Sequence, residues 1–546
     1  MKTLISNATV IDGSGEPRRN ADVLLDAGMI LRISSAGSLA AESADRTIDA
    51  AGLVLSPGFI DMHAHSDLQL LLNRDHYAKL SQGVTTELLG QDGLSYAPVD
   101  DAALAGVRQK IAGWNDNPED FDWNWRSVAE YLDRLDAPVD GGRIATNAAY
   151  LVPQGTVRAL VMGFGEGEAT PAQLEQMQEI VRSAMVEGAV GMSSGLTYTP
   201  GMYATTAELG ALCRTVAKLD GFYAPHHRSY GKGALDAYAE MIGLSRDTGC
   251  ALHLSHATMN FAENKGRAGE LLALIDEALD EGVDITLDTY PYLPGATTLS
   301  AILPSWASAG GPEATLDRLR DPDTAARIRA DVEIHGSDGC HGVVAEWDTL
   351  EISGVQNPAL AGYVGRTIAG IAAEEGREPF EVFTGILLAD RLGTGILQHV
   401  GHEENVRAIM THRTHTGGSD GLLVGGKPHP RAWGTFPRYL GHYSRELGLM
   451  SLEETIHHLT GRPAERLKLD RRGLVRQGYA ADLVLFDPET VSDAATFDQP
   501  RQPAVGIHYV FVNGEAAIDG GRPTGIRAGG ALRRHGDGLT RTGSST

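Results

Sequence analysis

The chain has only three cysteines in 546 residues, Cys213, Cys250 and Cys340. They are odd in number, far apart and without a Cys-x-x-Cys pair, which leaves no zinc knuckle or dithiol redox motif and points to a reduced, cytoplasmic setting. Basic residues are also scarce: 46 Lys and Arg stand against 71 Asp and Glu, a formal charge of -25. That field repels phosphate backbones and anionic lipid, so neither nucleic acid nor a membrane surface is an expected partner. No apolar run reaches the roughly 18 residues of a spanning helix. The opening MKTLISNATVIDGSG breaks into polar turn residues too early for a signal peptide. Disorder is not indicated either, since hydrophobic residues make up 42% and charged ones 21%. The length suits one large domain plus a smaller one.

What is present is a change of pattern along the chain. Residues 1–52 alternate short apolar runs (Thr3 to Ile5, Val23 to Leu25, Ile30 to Ile33) with Gly, Ser and Asp turns, as small antiparallel strands do. A matching pattern returns at Asp482 to Phe486 and Ile507 to Val512, the latter closed by the hairpin signal Asn513-Gly514. Both ends are therefore expected to form one small β-sandwich, from residues 1–55 and 467–522. Residues 523–546 are rich in Gly, Arg, Ser and Thr and are expected to be a flexible tail unless they dock.

Between the ends, strand candidates alternate with stretches of helical period, the signature of consecutive βα units. The eight candidates are Gly58 to His65, Val84 to Gly90, Arg143 to Val152, Ala189 to Leu196, Gly221 to Arg228, Ala251 to Ala257, Asp284 to Tyr292 and Thr414 to Asp420. Helical segments such as Pro171 to Val186, Ala207 to Lys218, Leu235 to Thr248 and Ala268 to Glu281 separate them. The fold class predicted is α/β, a (β/α)8 TIM barrel over residues 56–466. The stretch from about 293 to 413 is too long for one connection and reads as an insertion between strands seven and eight, overhanging the barrel mouth.

The chemistry gathers where these strands end. In Phe59-Ile-Asp-Met-His-Ala-His65 the period of two puts Asp61, His63 and His65 on one face. Alternating histidines on a strand bring two nitrogens to one metal ion, and Asp67 would anchor the following loop. An isolated His-x-His is more often a pair of loop histidines; here other strand ends supply partners. The fifth strand ends Tyr223-Ala-Pro-His-His-Arg228 and the sixth Leu254-Ser-His256. His226 is preferred over its neighbour His227, although a lone rim histidine is commonly just hydrogen-bonded. The eighth ends Gly417-Gly-Ser-Asp-Gly421, presenting Asp420 as a carboxylate able to bind metal and take a proton. Five groups, His63, His65, His226, His256 and Asp420, thus fall on the catalytic end of one predicted barrel.

This ensemble resembles the amidohydrolase superfamily and, within it, the D-aminoacylase (N-acyl-D-amino-acid deacylase) branch, nearly end to end. The resemblance rests on Ser56-Pro-Gly-Phe-Ile-Asp-Met-His-Ala-His-Ser-Asp67, Gly83-Val-Thr-Thr86, Ser193-Ser-Gly-Leu-Thr-Tyr198, Pro200-Gly-Met-Tyr203, Asp288-Thr-Tyr-Pro-Tyr292, Gly418-Ser-Asp-Gly421 and His429-Pro-Arg-Ala-Trp-Gly-Thr-Phe-Pro-Arg438. The late Gly461-Arg-Pro-Ala464, Gly473 to Gly478 and Ala480-Ala-Asp-Leu-Val484 add to it. It implies one or two Zn2+ ions, with His63, His65 and Asp420 at one position and His226 and His256 at the other. Asp420 would be the general base, moving a proton from water to the leaving nitrogen. Where the branch has a metal-bridging cysteine in Asn-Cys-Gly, this chain has Gln91-Asp92-Gly93. Asp92 is the expected replacement ligand, the alternative being a turn residue before Gly93. The fourth strand lacks the lysine that some related hydrolases carboxylate as a metal bridge.

For the small-molecule substrate, the resemblance makes Arg431 a carboxylate-binding arginine, with a surface salt bridge as the plain alternative. Tyr198, Arg228, Tyr290 and Tyr292 lie on rim motifs and are candidate pocket residues, packing being the alternative. Thr258 stands where the branch places a lysine, and Leu293-Pro-Gly-Ala-Thr-Thr298 replaces a more serine-rich run. The leading expectation is hydrolysis of the amide C–N bond of an N-acyl-D-amino acid. A cyclic imide or ureido substrate on the same metal site is the second, and a non-catalytic barrel scaffold the third. Homo-oligomerisation is left open.

Overall fold

Parallel strands covered by helices are buried on both faces. Eight such segments, Phe59–Asp61, Val84–Leu89, Asn147–Pro153, Gly191–Gly195, Phe222–His226, Ala251–Leu254, Ile285–Thr289 and His415–Gly417, form one parallel sheet in chain order. The structure is a computed structural model describing residues 2–40 and 42–543. Positions 1, 41 and 544–546, parts of the end segments outlined above, lie outside the described residues. The sheet closes on itself: Met62 N donates to Gly417 O (3.0 Å) and Asp420 N to His63 O (2.8 Å). The chain is therefore a (β/α)8 barrel.

The ladders are shorter than the sequence pattern suggests. Residues 62–65, 255–257 and 418–420 leave them and curl over the barrel end, His256 and Asp420 adopting φ of 32° and 48° that a strand does not allow. Helices Pro171–Val186, Thr206–Lys218, Ala234–Thr248 and Ala268–Asp280 surround the sheet. Thr170 and Gln173 form a capping box around Pro171 at the start of the first. Gly249, at φ 68°, ends the third.

Strands from both chain ends join one nine-stranded sheet, where Val54–Pro57 pairs antiparallel with Leu483–Phe486. The period of two divides its faces. Leu483 and Leu485 pack with Ile5, Val23 and Leu55, whereas Val484 and Phe486 pack with Phe59, Val84 and Phe436 on the barrel side. The tail docks. Leu532–Arg534 pairs with Thr540–Thr542, Ala148 N donates to Gly530 O (3.0 Å), and Leu532 is buried beside Ile60, Met62 and Leu151 under the barrel. Arg533 adds an ion pair to Asp133 (2.7 Å). A few buried contacts thus order a segment whose composition is polar.

The connection after the seventh strand holds a three-stranded antiparallel sheet, Gly295–Thr298, Leu350–Gly354 and Gly395–Gln398, with helices that include Pro312–Arg320 and Pro379–Ala389. Leu299, Leu316, Ile352, Phe383 and Ile396 give it a core of its own. Helix Glu403–Met410 returns to the barrel, with Ile409 in the barrel's main cluster beside Ile275. Among the described residues no helix is long and apolar enough to cross a membrane.

Candidate metal centre and active site

His63 and His65, expected on the first barrel strand, lie in the segment just past its end at Asp61, both buried. The loop after the second strand carries Asp92 at φ 54°, followed by Gly93 at φ 68°. A Cβ on Gly93 would meet Gly195 N at 2.5 Å, so only glycine lets this turn lie against the fourth strand. Asp67 anchors the same loop, accepting from Gly90 N (2.9 Å) and Ser95 Oγ (2.6 Å).

Asp92 sits among all four histidines. Its Oδ1 is 3.5 Å from His63 Nε2 and 3.4 Å from His256 Nε2, and its Oδ2 is 3.6 Å from His65 Nε2 and 3.4 Å from His226 Nδ1. Asp420 Oδ1 is 3.2 Å from His65 Nε2 and 3.8 Å from His63 Nε2. The donor atoms of His63, His65, Asp92 and Asp420 lie within 4.8 Å of one another, as do those of Asp92, His226 and His256. His227 belongs to neither group; its ring packs between Tyr230 and Tyr238, 4.1 and 3.9 Å between centroids.

These residues fit zinc. Nε2 of His63 and Oδ1 of Asp92 are buried without a hydrogen-bond partner, a costly state that a divalent cation relieves. The donors are imidazole nitrogen and carboxylate oxygen, the set zinc takes. The electrostatics agree. Burial alone would raise the Asp92 carboxyl, yet the His256, His226 and His63 imidazoles hold it well below the usual carboxylate range. Burial would lower His63, but Asp92, Asp288 and Asp420 raise it well above an ordinary histidine. At Asp420 too, Arg431 and His63 overcome burial and favour the ionised form.

Two supports escaped the sequence reading. Asp288 Oδ2 lies 3.6 Å from His63 Nδ1 and 3.0 Å from His253 Nε2, while its Oδ1 accepts from His256 N (3.0 Å). Thr197 Oγ1 is 2.7 Å from His226 Nε2. Such partners orient the imidazoles whose other nitrogen faces the centre. Asp288 opens the motif Asp288-Thr-Tyr-Pro-Tyr292 at the same rim, which is the signal that could have found it.

The substrate candidates divide. Arg431 is fully buried, with Nη2 2.9 Å from Asp420 Oδ2 and its guanidinium 4.4 Å above the Tyr290 ring. Tyr198 and Tyr290 line the cavity over the cluster, and the Tyr198 hydroxyl is 2.9 Å from Thr297 Oγ1. Arg228 and Tyr292 are not in that cavity. Arg228 pairs with Glu240 (2.8 Å) and donates to Ala204 O (2.7 Å), its charge already matched. Tyr292 lies past the end of its strand, where alternation no longer holds; its ring packs on His429 (5.1 Å) and its hydroxyl points to Asp493 (3.4 Å). The cavity instead recruits Trp114, Tyr230, Thr258, His341 and Gln398. Burial, with His226 and His256, lowers His341 to about 3, so it is neutral.

Comparison with known proteins agrees with this geometry. A family model described as "Amidohydrolase family" matches residues 46–518. A D-aminoacylase of Alcaligenes xylosoxydans xylosoxydans is 35% identical over 531 residues, covering 97% of both chains. An N-acyl-D-glutamate deacylase of the same organism is 35% identical over 533 residues, 97% of this chain and 96% of its own. The solved N-acyl-D-glutamate deacylase from Bordetella bronchiseptica, complexed with zinc and a phosphonate mimic of the tetrahedral intermediate, is 34% identical. It superposes with a TM-score of 0.80 over 97% of this chain and 99% of that one.

Proposed function

This chain belongs to the amidohydrolase family, and from that membership we propose that it is a zinc-dependent deacylase of N-acyl-D-amino acids, hydrolysing their amide C–N bond. The observation that carries the reading is one buried carboxylate, Asp92, standing 3.4 to 3.6 Å from four imidazoles at the end of the barrel where such enzymes react. His63, His65, Asp92 and Asp420 would hold one ion, and Asp92, His226 and His256 a second. Bound there, zinc supplies a Lewis acid that polarises an amide carbonyl and acidifies water.

The remaining work falls to the chain's own groups. Asp420, ionised and at the cavity floor, accepts the proton of the attacking water. It then returns that proton to the departing nitrogen, which cannot leave as an amide anion. Arg431 keeps Nε and Nη1 free of protein partners while Nη2 pairs with Asp420. These unpartnered donors suit a substrate carboxylate, which would set the scissile bond beside the base. Tyr290 under the guanidinium fixes its plane. Three buried free thiols suit a reducing, cytoplasmic compartment, which completes the proposal.

The test is zinc content per chain, followed by assays of N-acetyl-D- and N-acetyl-L-amino acids beside hydantoin and dihydroorotate. Turnover of the D series, lost in Asp420→Asn, is the expected result. Turnover of the cyclic compounds alone would overturn it.

A further inference from the structure

A second chamber adjoins the one above the metal cluster. Trp114 and Tyr198 line both, their rings meeting edge to face at 5.0 Å. The new chamber is roofed by the insertion through residues such as Ser300, Leu303 and Thr315, and floored by Thr197, the partner of His226. It is thus one residue removed from the candidate metal centre.

Its lining is neutral except for Lys110, the last residue of helix Asp101–Lys110. Lys110 is partly buried, and its ammonium donates to Thr199 Oγ1 (2.6 Å). Among the described residues it forms no ion pair. Three fully buried cations differ: Lys79 pairs with Asp61, Arg158 with Glu208 and Arg431 with Asp420, whereas Arg74, also without an ion pair, is satisfied by the carbonyls of Ala137 and Arg134. An ammonium withdrawn from water without a counter-charge is unfavourable, and an incoming anion removes the penalty. Burial, with no carboxylate to oppose it, pushes Lys110 down to about 8, which leaves it mainly charged at neutral pH.

We propose that this chamber is a second substrate subsite, in which Lys110 receives a carboxylate carried beyond the scissile amide, so that acidic substrates are favoured over neutral ones. The inference rests on the deacylase reading above and adds a specificity to it. The carboxylate can come from the amino-acid side chain or from the far end of a dicarboxylic acyl group. A lysine is a compact point charge on a flexible stem and suits either source.

Two substrate pairs separate the sources: N-acetyl-D-glutamate against N-acetyl-D-glutamine, and N-succinyl-D-leucine against N-butyryl-D-leucine. The expected result is a preference of tenfold or more in kcat/KM for the acidic member of one pair, carried mainly by KM. Lys110→Met should collapse that ratio to near unity, Lys110→Arg should keep most of it, and in the native enzyme it should fall as pH rises through about 8. Turnover of all four without charge preference overturns this inference alone, as does a Lys110→Met variant that slows both members of a pair equally. A zinc-loaded protein that hydrolyses none of the four overturns the deacylase reading and this inference with it.

Discussion

Two buried charged clusters sit almost in contact, and the first barrel strand contributes to both. Asp61 and His63 are two residues apart, yet their surroundings differ in kind. Asp61 accepts from Ser419 N (2.8 Å) and Ser419 Oγ (2.6 Å) and pairs with Lys79, which also donates to Ser419 Oγ (2.8 Å). Nearby Glu87 accepts from Ser66 and Thr146, both at 2.8 Å, and faces His76 Nε2 at 2.8 Å. These carboxylates have protein partners. Around His63 and Asp92, by contrast, buried donor atoms lack hydrogen bonds, and Asp92, His256 and Asp420 all hold positive φ. In the cluster that stitches strand one to strand eight both carboxylates are paired, although His76 there also holds a positive φ (44°); in the one that binds and reacts, the Asp92 carboxylate itself keeps an oxygen without a hydrogen bond.

That contrast can be broken experimentally. The largest effect is expected at the reacting cluster: Asp420→Asn should lower kcat by about 10²–10⁴-fold, the usual range for losing a positioned acid–base group. Stripping metal with a chelator should abolish turnover, and added zinc should restore it. If activity survives chelation, the cluster is not the metal site.

Next comes the stitching cluster, where the loss should appear in stability. Lys79→Met leaves Asp61 buried and unpaired, which should cost about 3–5 kcal/mol of unfolding free energy in urea titrations. A destabilisation near zero would show that the pair is not the fastener described. The same cluster predicts an acid limit. Burial would raise Glu87, but His76 and Lys79 prevail and lower it from 4.5 to about 2. Its contribution is therefore complete above pH 4.5 and lost as pH falls towards 2. That amounts to on the order of 3 kcal/mol, and Glu87→Gln should flatten the slope in pH-dependent unfolding. The smallest effect is expected at Tyr292→Phe, outside both clusters. Its hydroxyl makes one long contact, so stability should change by less than about 1 kcal/mol and kcat/KM by less than twofold.

Much of this arrangement was legible before any coordinates. Eight strand segments appear in the expected order, because apolar runs alternating with amphipathic helices have few other ways to bury themselves. His63 and His65 could be paired from spacing alone, and the Gly-Ser-Asp-Gly segment marked Asp420. The residues that escaped act through a partner far away in sequence. Asp288 matters because it meets His63 and His253, and Lys79 because it meets Asp61 and Ser419. Arg228 and Tyr292 were expected near substrate because their motifs border the rim. Which way a side chain turns at a strand's end depends on neighbours such as Glu240 and Asp493, which the motif does not contain. The tail was read from its polar composition, but buried Ala531 and Leu532, backbone bonds and the ion pairs of Arg533 and Arg534 seat it under the barrel.

Local periodicity is a property of adjacent residues, so the sequence by itself determined the strands, the helices and the histidine pair that shares a face. Barrel closure is not local. It brings residue 420 back beside residue 63 and folds the 92 loop inward until one carboxylate reaches four imidazoles. It also carries the insertion over Lys110 to roof a chamber. Those meetings were decided only by tertiary structure, since each depends on packing summed over the whole sheet and not on any spacing along the chain.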